Sequence, residues 1–281
     1  MSGFRRSSRL AVALALWAGA ALPVKVEAGP PERVVSVNLC TDQLAMLLAA
    51  PGQLISVSHL ASDPLSSSMV SQAAEYPVNR GQAEQVFLMR PDLVLAGTYT
   101  QSATVDLLRR LGVEVVQFPP VNSLADAADE MRQMGRVLGR EAAGEVMAAR
   151  FEADVAALRM DGPKVTAAFY YPNGYTTGAG TLSNEVLELT GFANIGAAAG
   201  LTGGGTLPLE RLVMAEPAMI VTSTPYPGAS RAEEILTHPA LADLRGKAGH
   251  QSTTDADWVC GTPYLVRAIA GMAAARRGMG G

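Results

Sequence analysis

The feature that most narrows the fold is a regular alternation of short apolar, β-rich runs with helical stretches. Parallel sheets covered by helices produce that pattern. Arg33–Val37, Gln53–Ser58, Leu93–Ala96 and Val113–Phe118 read as strands. Asn38 is placed to cap a helix running through Gln43–Leu48, and Val105–Leu111 reads as a helix stopped by Gly112. From Leu124 to Arg159 the periodicity is helical, and glycines at 135, 139 and 144 favour two helices in succession over one rod. Asp161-Gly162-Pro163 ends that stretch. Strand Lys164–Tyr170, helix Ser183–Thr190 and strand Met219–Thr222 then predict a second α/β unit, with Gly196–Gly205 read as a flexible loop.

The two halves echo each other. Glu84 lies seven residues before Pro91, and Asp92-Leu93-Val94-Leu95 follows as a strand; Glu210 lies seven residues before Pro217, and Ala218-Met219-Ile220-Val221 follows as a strand. Each reads as an acidic residue on a short helix, a proline turn and a buried strand, one set per half, which points to a duplicated plan.

The amino terminus predicts export. Arg5, Arg6 and Arg9 form a basic region before the apolar run Leu10–Leu22, which is shorter than the roughly 20 residues a membrane span needs. Val26-Glu27-Ala28 offers small residues at the −3 and −1 positions of a signal peptidase site, so cleavage is expected after Ala28. The whole chain carries 26 acidic and 22 basic residues, and the leader takes four of the basic and one of the acidic with it. The acidic remainder repels nucleic acid and anionic lipid, so neither partner is expected. A soluble periplasmic monomer is the expectation.

Enzyme signatures are missing. No phosphate loop and no Gly-x-Ser-x-Gly elbow occurs, and His59, His238 and His250 lack metal-motif spacing. His238, before Pro239, reads as an exposed or capping residue. No cofactor and no protein-held metal are expected. Open parallel sheets bind ligands at the carboxyl ends of their strands. Those loops carry Asn38, Cys40, Thr41, His59 and Tyr99 in the first half, and Tyr171, Tyr175, Tyr226, Trp258 and Cys260 in the second. This aromatic, hydrogen-bonding set has no nucleophile–base pair and suits reversible capture. Arg80, between a strand-poor loop and the Glu84 helix, is the cation placed to meet an anionic ligand.

Cys40 falls in the first turn of the first helix, and Cys260 stands before Thr262-Pro263, which reads as an N-cap with proline at N1. An even pair in an oxidising compartment favours a disulfide. Two inert thiols, or direct contact with ligand or metal, are the alternatives.

These residues resemble the periplasmic binding proteins that serve importers of vitamin B12, ferric siderophores and haem. The likeness runs from about Arg33 to Ala273 and rests on Arg33-Val34-Val35-Ser36, Glu84 with Pro91-Asp92-Leu93-Val94, Asn184–Gly191, Glu210 with Pro217, and Trp258, Cys260, Gly261 and Pro263. It implies two Rossmann-like α/β lobes, 29–141 and 161–281, joined by a single long helix at 142–160, with the ligand cleft between them. It implies a metal chelate as cargo and an ABC permease dimer in the inner membrane as partner, docked through Glu84 and Glu210. Ferric siderophore and corrinoid rank nearly level, because the aromatics of the vitamin B12 binders are replaced here by Val78–Gly81 and Gly203–Thr206. Haem ranks third, since Tyr76 is out of register for an iron ligand. A metal-ion receptor and an exported α/β enzyme are the remaining alternatives.

Overall fold

The computed structural model describes residues 29–224, 228, 230–253 and 255–279. The predicted leader, 1–28, and Tyr226 lie outside the described residues. The first lobe runs β1 (Val34–Ser36), α1 (Leu39–Leu48), β2 (Leu54–Ser58), α2 (Val70–Ala73), β3 (Val78–Asn79), α3 (Ala83–Leu88), β4 (Leu93–Gly97), α4 (Ser102–Arg110) and β5 (Glu114–Phe118). Two helices follow, α5 (Leu124–Val137) and α6 (Glu141–Ala157). The second lobe runs β6 (Val165–Phe169), β7 (Tyr175–Thr177), α7 (Leu182–Leu189), β8 (Phe192–Asn194), α8 (Ile195–Ala198), β9 (Gly204–Thr206), α9 (Leu209–Ala215), β10 (Met219–Ser223), α10 (Pro239–Lys247), β11 (Gly249–Thr253), α11 (Asp255–Trp258) and α12 (Leu265–Gly278).

The first sheet has the order β3-β2-β1-β4-β5 and the second β11-β10-β6-β8, with parallel pairing throughout both. Read from the opposite edge, the second order is β8-β6-β10-β11, which repeats β2-β1-β4-β5. The duplication inferred from sequence is therefore structural. In each half the glutamate is the second residue of its helix, in α3 and α9. A residue in the left-handed region follows, Arg90 at φ 53° and Glu216 at φ 43°. The proline comes next, and the strand starts two residues after it.

Strands covered on both faces read as unbroken apolar runs. In β4, Leu93 and Leu95 point into one core while Val94 and Ala96 point into another. Met219 and Val221 of β10 join the first core, and Ile220 faces a third. The first core continues through Met131 and Met134 of α5 and Phe151 of α6 to Phe169, Phe192 and Ile269 of the second lobe. Each large side chain buried there contributes about 1.5–3 kcal/mol.

The predicted break in the long helical stretch falls at Gly139. Its φ of 66° lets Arg140 N donate to Gly135 O and Gly139 N to Arg136 O, closing α5 with a Schellman turn. The connector, expected at 142–160, runs instead from Glu141 to Ala157, and Met160 N already donates to Leu189 O of the second lobe. The other two glycines bring the helix backbones together. A Cβ on Gly144 would stand 2.9 Å from both Gly135 Cα and Met131 O. Gly144→Ala is therefore expected to push the helices apart and cost about 1–3 kcal/mol, read as a lower urea midpoint with an unchanged slope. An unaltered midpoint would mean that the crossing has slack.

The Gly196–Gly205 stretch is not a plain loop. It carries α8, and β9 pairs antiparallel with β7, Tyr175 opposite Thr206 and Thr177 opposite Gly204. Sequence periodicity missed β9 because Gly204-Gly205-Thr206 has no apolar side chain to alternate. Thr262-Pro263 does not open the last helix either; α12 begins at Leu265, behind a turn in which Leu265 N donates to Thr262 O.

Candidate functional site

The carboxyl ends of β1, β4 and β5 frame a cavity of about 210 Å³, closed on its far side by Val259 and Gly261 of the second lobe. Its walls include Asn38, Cys40, Tyr99, Phe118, Val121 and Glu130. Asn38 caps α1 as predicted, its Oδ1 accepting from Cys40 N at 3.0 Å and Thr41 N at 3.3 Å. Its amide nitrogen lies against Gly97, where a Cβ would come within 2.9 Å of it. Tyr99, just past β4, is 88% exposed.

The second lobe contributes an aromatic cluster at the carboxyl end of β6. Phe169 is buried; the Tyr171 ring stacks on it at 5.7 Å and Trp258 meets it edge-on at 5.2 Å. Tyr175 continues the row, 6.4 Å from Tyr171, and lies over the backbone of Gly204. Such contacts hold the rings in fixed orientations. Arg267 stacks on Tyr264 at 4.4 Å and pairs with Asp257 at 2.8 Å. Asp257 also accepts from Ser68 Oγ of the first lobe, while Leu124 N donates to Glu185 Oε2 across the lobes.

Cys40 and Cys260 form a disulfide across the lobes, with Cα atoms 5.1 Å apart. That removes both from the set of ligand donors, because a bridged sulfur has no thiolate to offer. Thr41 leaves the set too. It is wholly buried, its Oγ1 donating to Asn38 O and 2.8 Å from Ser36 Oγ. His59 and Arg80 are exposed at the ends of β2 and β3, on the side of the sheet away from the cavity, and neither lines it. Arg80 instead follows an anchor the sequence did not reveal. Asn79 is buried, its Nδ2 donating to Ser36 O, Ser56 Oγ and Val57 O, and its Oδ1 accepting from Gly81 N. His238 is the N-cap of α10, its Nδ1 accepting from Ala240 N.

Two buried acids also escaped sequence reasoning. Asp42 looks like an ordinary first-turn carboxylate of α1, yet it is wholly buried. It accepts from Ser58 N and Ser58 Oγ, and burial pushes its carboxyl up to about 6. Glu130 of α5 lines the cavity with 6% of its surface exposed. Its Oε2 has no hydrogen-bond partner among the described residues, and a Cβ on Gly261 would stand 3.2 Å from it. Burial, then the charge of Asp126, pushes its carboxyl up to about 8. Only its place on the apolar face of α5, between Ala127 and Met131, signals this in the sequence.

Glu84 and Glu210 are both exposed, and neither makes an ion pair among the described residues. Among the described residues no group of three His, Cys, Asp or Glu side chains is arranged to hold a metal ion, and no helix is long and apolar enough to cross a membrane.

The architecture has close counterparts. It superposes with a TM-score of 0.72 on the periplasmic heme-binding protein RhuT from Roseiflexus sp. RS-1, 22% identical, over 88% of this chain and 98% of that one. Against the periplasmic vitamin B12 binding protein BtuF of Vibrio cholerae the TM-score is 0.67 at 18% identity, over 89% and 98%. In sequence the chain is 24% identical, over 205 residues, to an uncharacterized ABC transporter substrate-binding lipoprotein, YvrC, of Bacillus subtilis (strain 168). That match takes in 69% of this chain and 64% of the relative, less than two thirds of its length. The profile of the periplasmic binding protein family matches residues 34–252, and with both lobes and the interlobe cleft accounted for, the chain belongs to that family of solute-binding proteins rather than to any enzyme class.

Proposed function

We propose that this chain is the substrate-binding component of an ABC importer, exported by its leader, and that it captures a metal chelate of the corrinoid kind between its lobes. The observation that carries this is the set of aromatic side chains gathered past the carboxyl ends of strands in both lobes, Tyr99 at the cavity itself and the second lobe's rings at the end of β6. Tyr99 stands 88% exposed on one lobe, and on the other Tyr171 and Trp258 pack on Phe169 while Tyr175 packs on Tyr171. Rings held in fixed orientation favour a large, flat, weakly charged ligand over a small ion. The cavity walls carry no Arg or Lys, so an anionic chelate would lack a counter-charge there. A ferric siderophore is the second reading, and it requires an anionic chelate long enough to reach beyond the cavity to the exposed Arg80 after β3; haem is the third.

Absorption titrations with cyanocobalamin, a ferric hydroxamate and haemin separate the three. The corrinoid is expected to bind most tightly, and Tyr99→Ala to weaken it five- to thirtyfold, about 1–2 kcal/mol. Preference for either of the other chelates would replace this reading with the corresponding alternative, and an Arg80→Ala variant impaired only for the ferric hydroxamate would support the second.

A further inference from the structure

A carboxyl buried without a partner is rare in a folded protein, because it loses its hydration and gains no hydrogen bond in exchange. Glu130 is such a group. Asp126 and Asp129, its neighbours on α5, are exposed, whereas Glu130 keeps only 6% of its surface in solvent. Its Oε2 finds no donor among the described residues, and its carboxyl makes no ion pair among them. Packing alone does not call for an acid here, since a leucine would fill similar space with no polar atom to desolvate.

What the carboxyl meets is the interlobe cavity. Glu130 stands on its wall and also borders a second cavity of about 290 Å³, which shares Pro119, Pro120 and Val121 with the first and is lined by Asp126 and Asp129. From the second lobe, Gly261 lies opposite. A Cβ there would stand 3.2 Å from Oε2, so any side chain at 261 would cover the oxygen that the glycine leaves open.

The surroundings select the charge of the group and of whatever it meets. No Arg or Lys lines either cavity, and Asp126 and Asp129 add negative charge beside the carboxyl. An ionised Glu130 would be an unpaired charge out of water, so the neutral acid is favoured. A neutral carboxyl offers one O–H donor and one carbonyl acceptor. Its complement is an uncharged group with the same two functions, an amide. A carboxylate on the ligand would find no counter-charge and two nearby acids, and a cation would first have to displace the proton from Glu130.

We infer that Glu130 is a specificity-determining ligand contact of the cleft, donating its O–H to the oxygen of an uncharged amide on the bound chelate and accepting from the amide N–H. This rests on the reading above of a chelate held between the lobes, and adds the chemical group by which that chelate is recognised.

The test titrates the parent, Glu130→Gln and Glu130→Leu at neutral pH with cyanocobalamin, whose ring is edged with primary amides. Glu130→Leu is expected to raise Kd at least about tenfold, since it leaves an amide of the ligand unpaired. Glu130→Gln, which also donates and accepts, is expected to stay within about threefold of the parent. A Glu130→Leu variant that binds as tightly as the parent would overturn the inference. So would a Glu130→Gln variant as impaired as Glu130→Leu, which would make the group a counter-charge for a cation. Infrared difference spectra give a second readout. Asp42, with its value of about 6, is mostly ionised at neutral pH, so the C=O stretch of a protonated carboxyl that disappears in Glu130→Gln belongs to Glu130. That band is expected to shift when the chelate binds, and an unmoved band would overturn the inference. The chelate panel keeps the two readings apart. A parent that ignores cyanocobalamin but binds the ferric hydroxamate, with the same contrast between the leucine and glutamine variants, would sink the corrinoid reading alone. A parent that binds only haemin, whose polar edge is carboxylate, would sink both.

Discussion

Replacing Cys40 and Cys260 with serine is expected to lower the unfolding free energy by roughly 5 kcal/mol. The bond joins residues 220 apart in sequence, so it closes nearly the whole of the described chain into one loop. Loop-closure entropy removed from the unfolded ensemble grows with the logarithm of loop length, which places this bond near the top of the usual range. The loss should appear in unfolding rather than as lobes falling apart. The lobes still share one apolar core through α5 and α6, and Ser68–Asp257 and Leu124–Glu185 still bridge them. Chemical denaturation with and without reductant checks this. The oxidised parent should unfold at a much higher denaturant concentration than either the reduced parent or the double variant. Coincident curves for all three would show that the bond adds nothing to stability.

Stability should also fall as the pH rises from neutrality toward pH 8, because of Glu130. Burial raises its carboxyl from the ordinary 4.5 to about 8 in the folded state. Between those values the folded protein keeps a proton that the unfolded chain gives up. The native state is therefore favoured at the acid end of the window and loses that advantage as the pH approaches 8. The full effect is on the order of a few kcal/mol, since each pH unit of offset is about 1.4 kcal/mol. Asp42 acts with the same sign, but its window closes near 6. His250, whose value burial lowers from 6.5, acts with the opposite sign and only below that value. The slope between pH 7 and 8 thus belongs to Glu130. Glu130→Gln keeps the shape and a neutral polar group, so it should flatten that slope and exceed the parent in stability at pH 8.5. A variant whose stability parallels the parent across pH 7–8.5 would show that the carboxyl titrates normally.

Both effects concern residues whose roles sequence and tertiary structure shared unequally. The alternation of apolar runs and helices was legible as two parallel-sheet units because strands buried on both faces must be apolar throughout, as Leu93–Ala96 and Met219–Val221 are. The spacing of Glu84 to Pro91 and of Glu210 to Pro217 revealed the duplication, since a short helix, a left-handed residue and a proline turn occupy a fixed length of chain. Asn38 and His238 could be read as caps because capping is local chemistry. Pairing across long separations was not local. Cys40 and Cys260 left three readings open, and only the meeting of the two lobes decided among them. Thr41, His59 and Arg80 have the residue types of ligand contacts, but burial removed the first and the strand order β3-β2-β1-β4-β5 carried the other two away from the cavity. Conversely, Asp42 and Glu130 look like solvated helix acids until the fold packs other elements over them. Periodicity along a chain records which face of an element is apolar, whereas desolvation and distance depend on what the rest of the chain brings to that face.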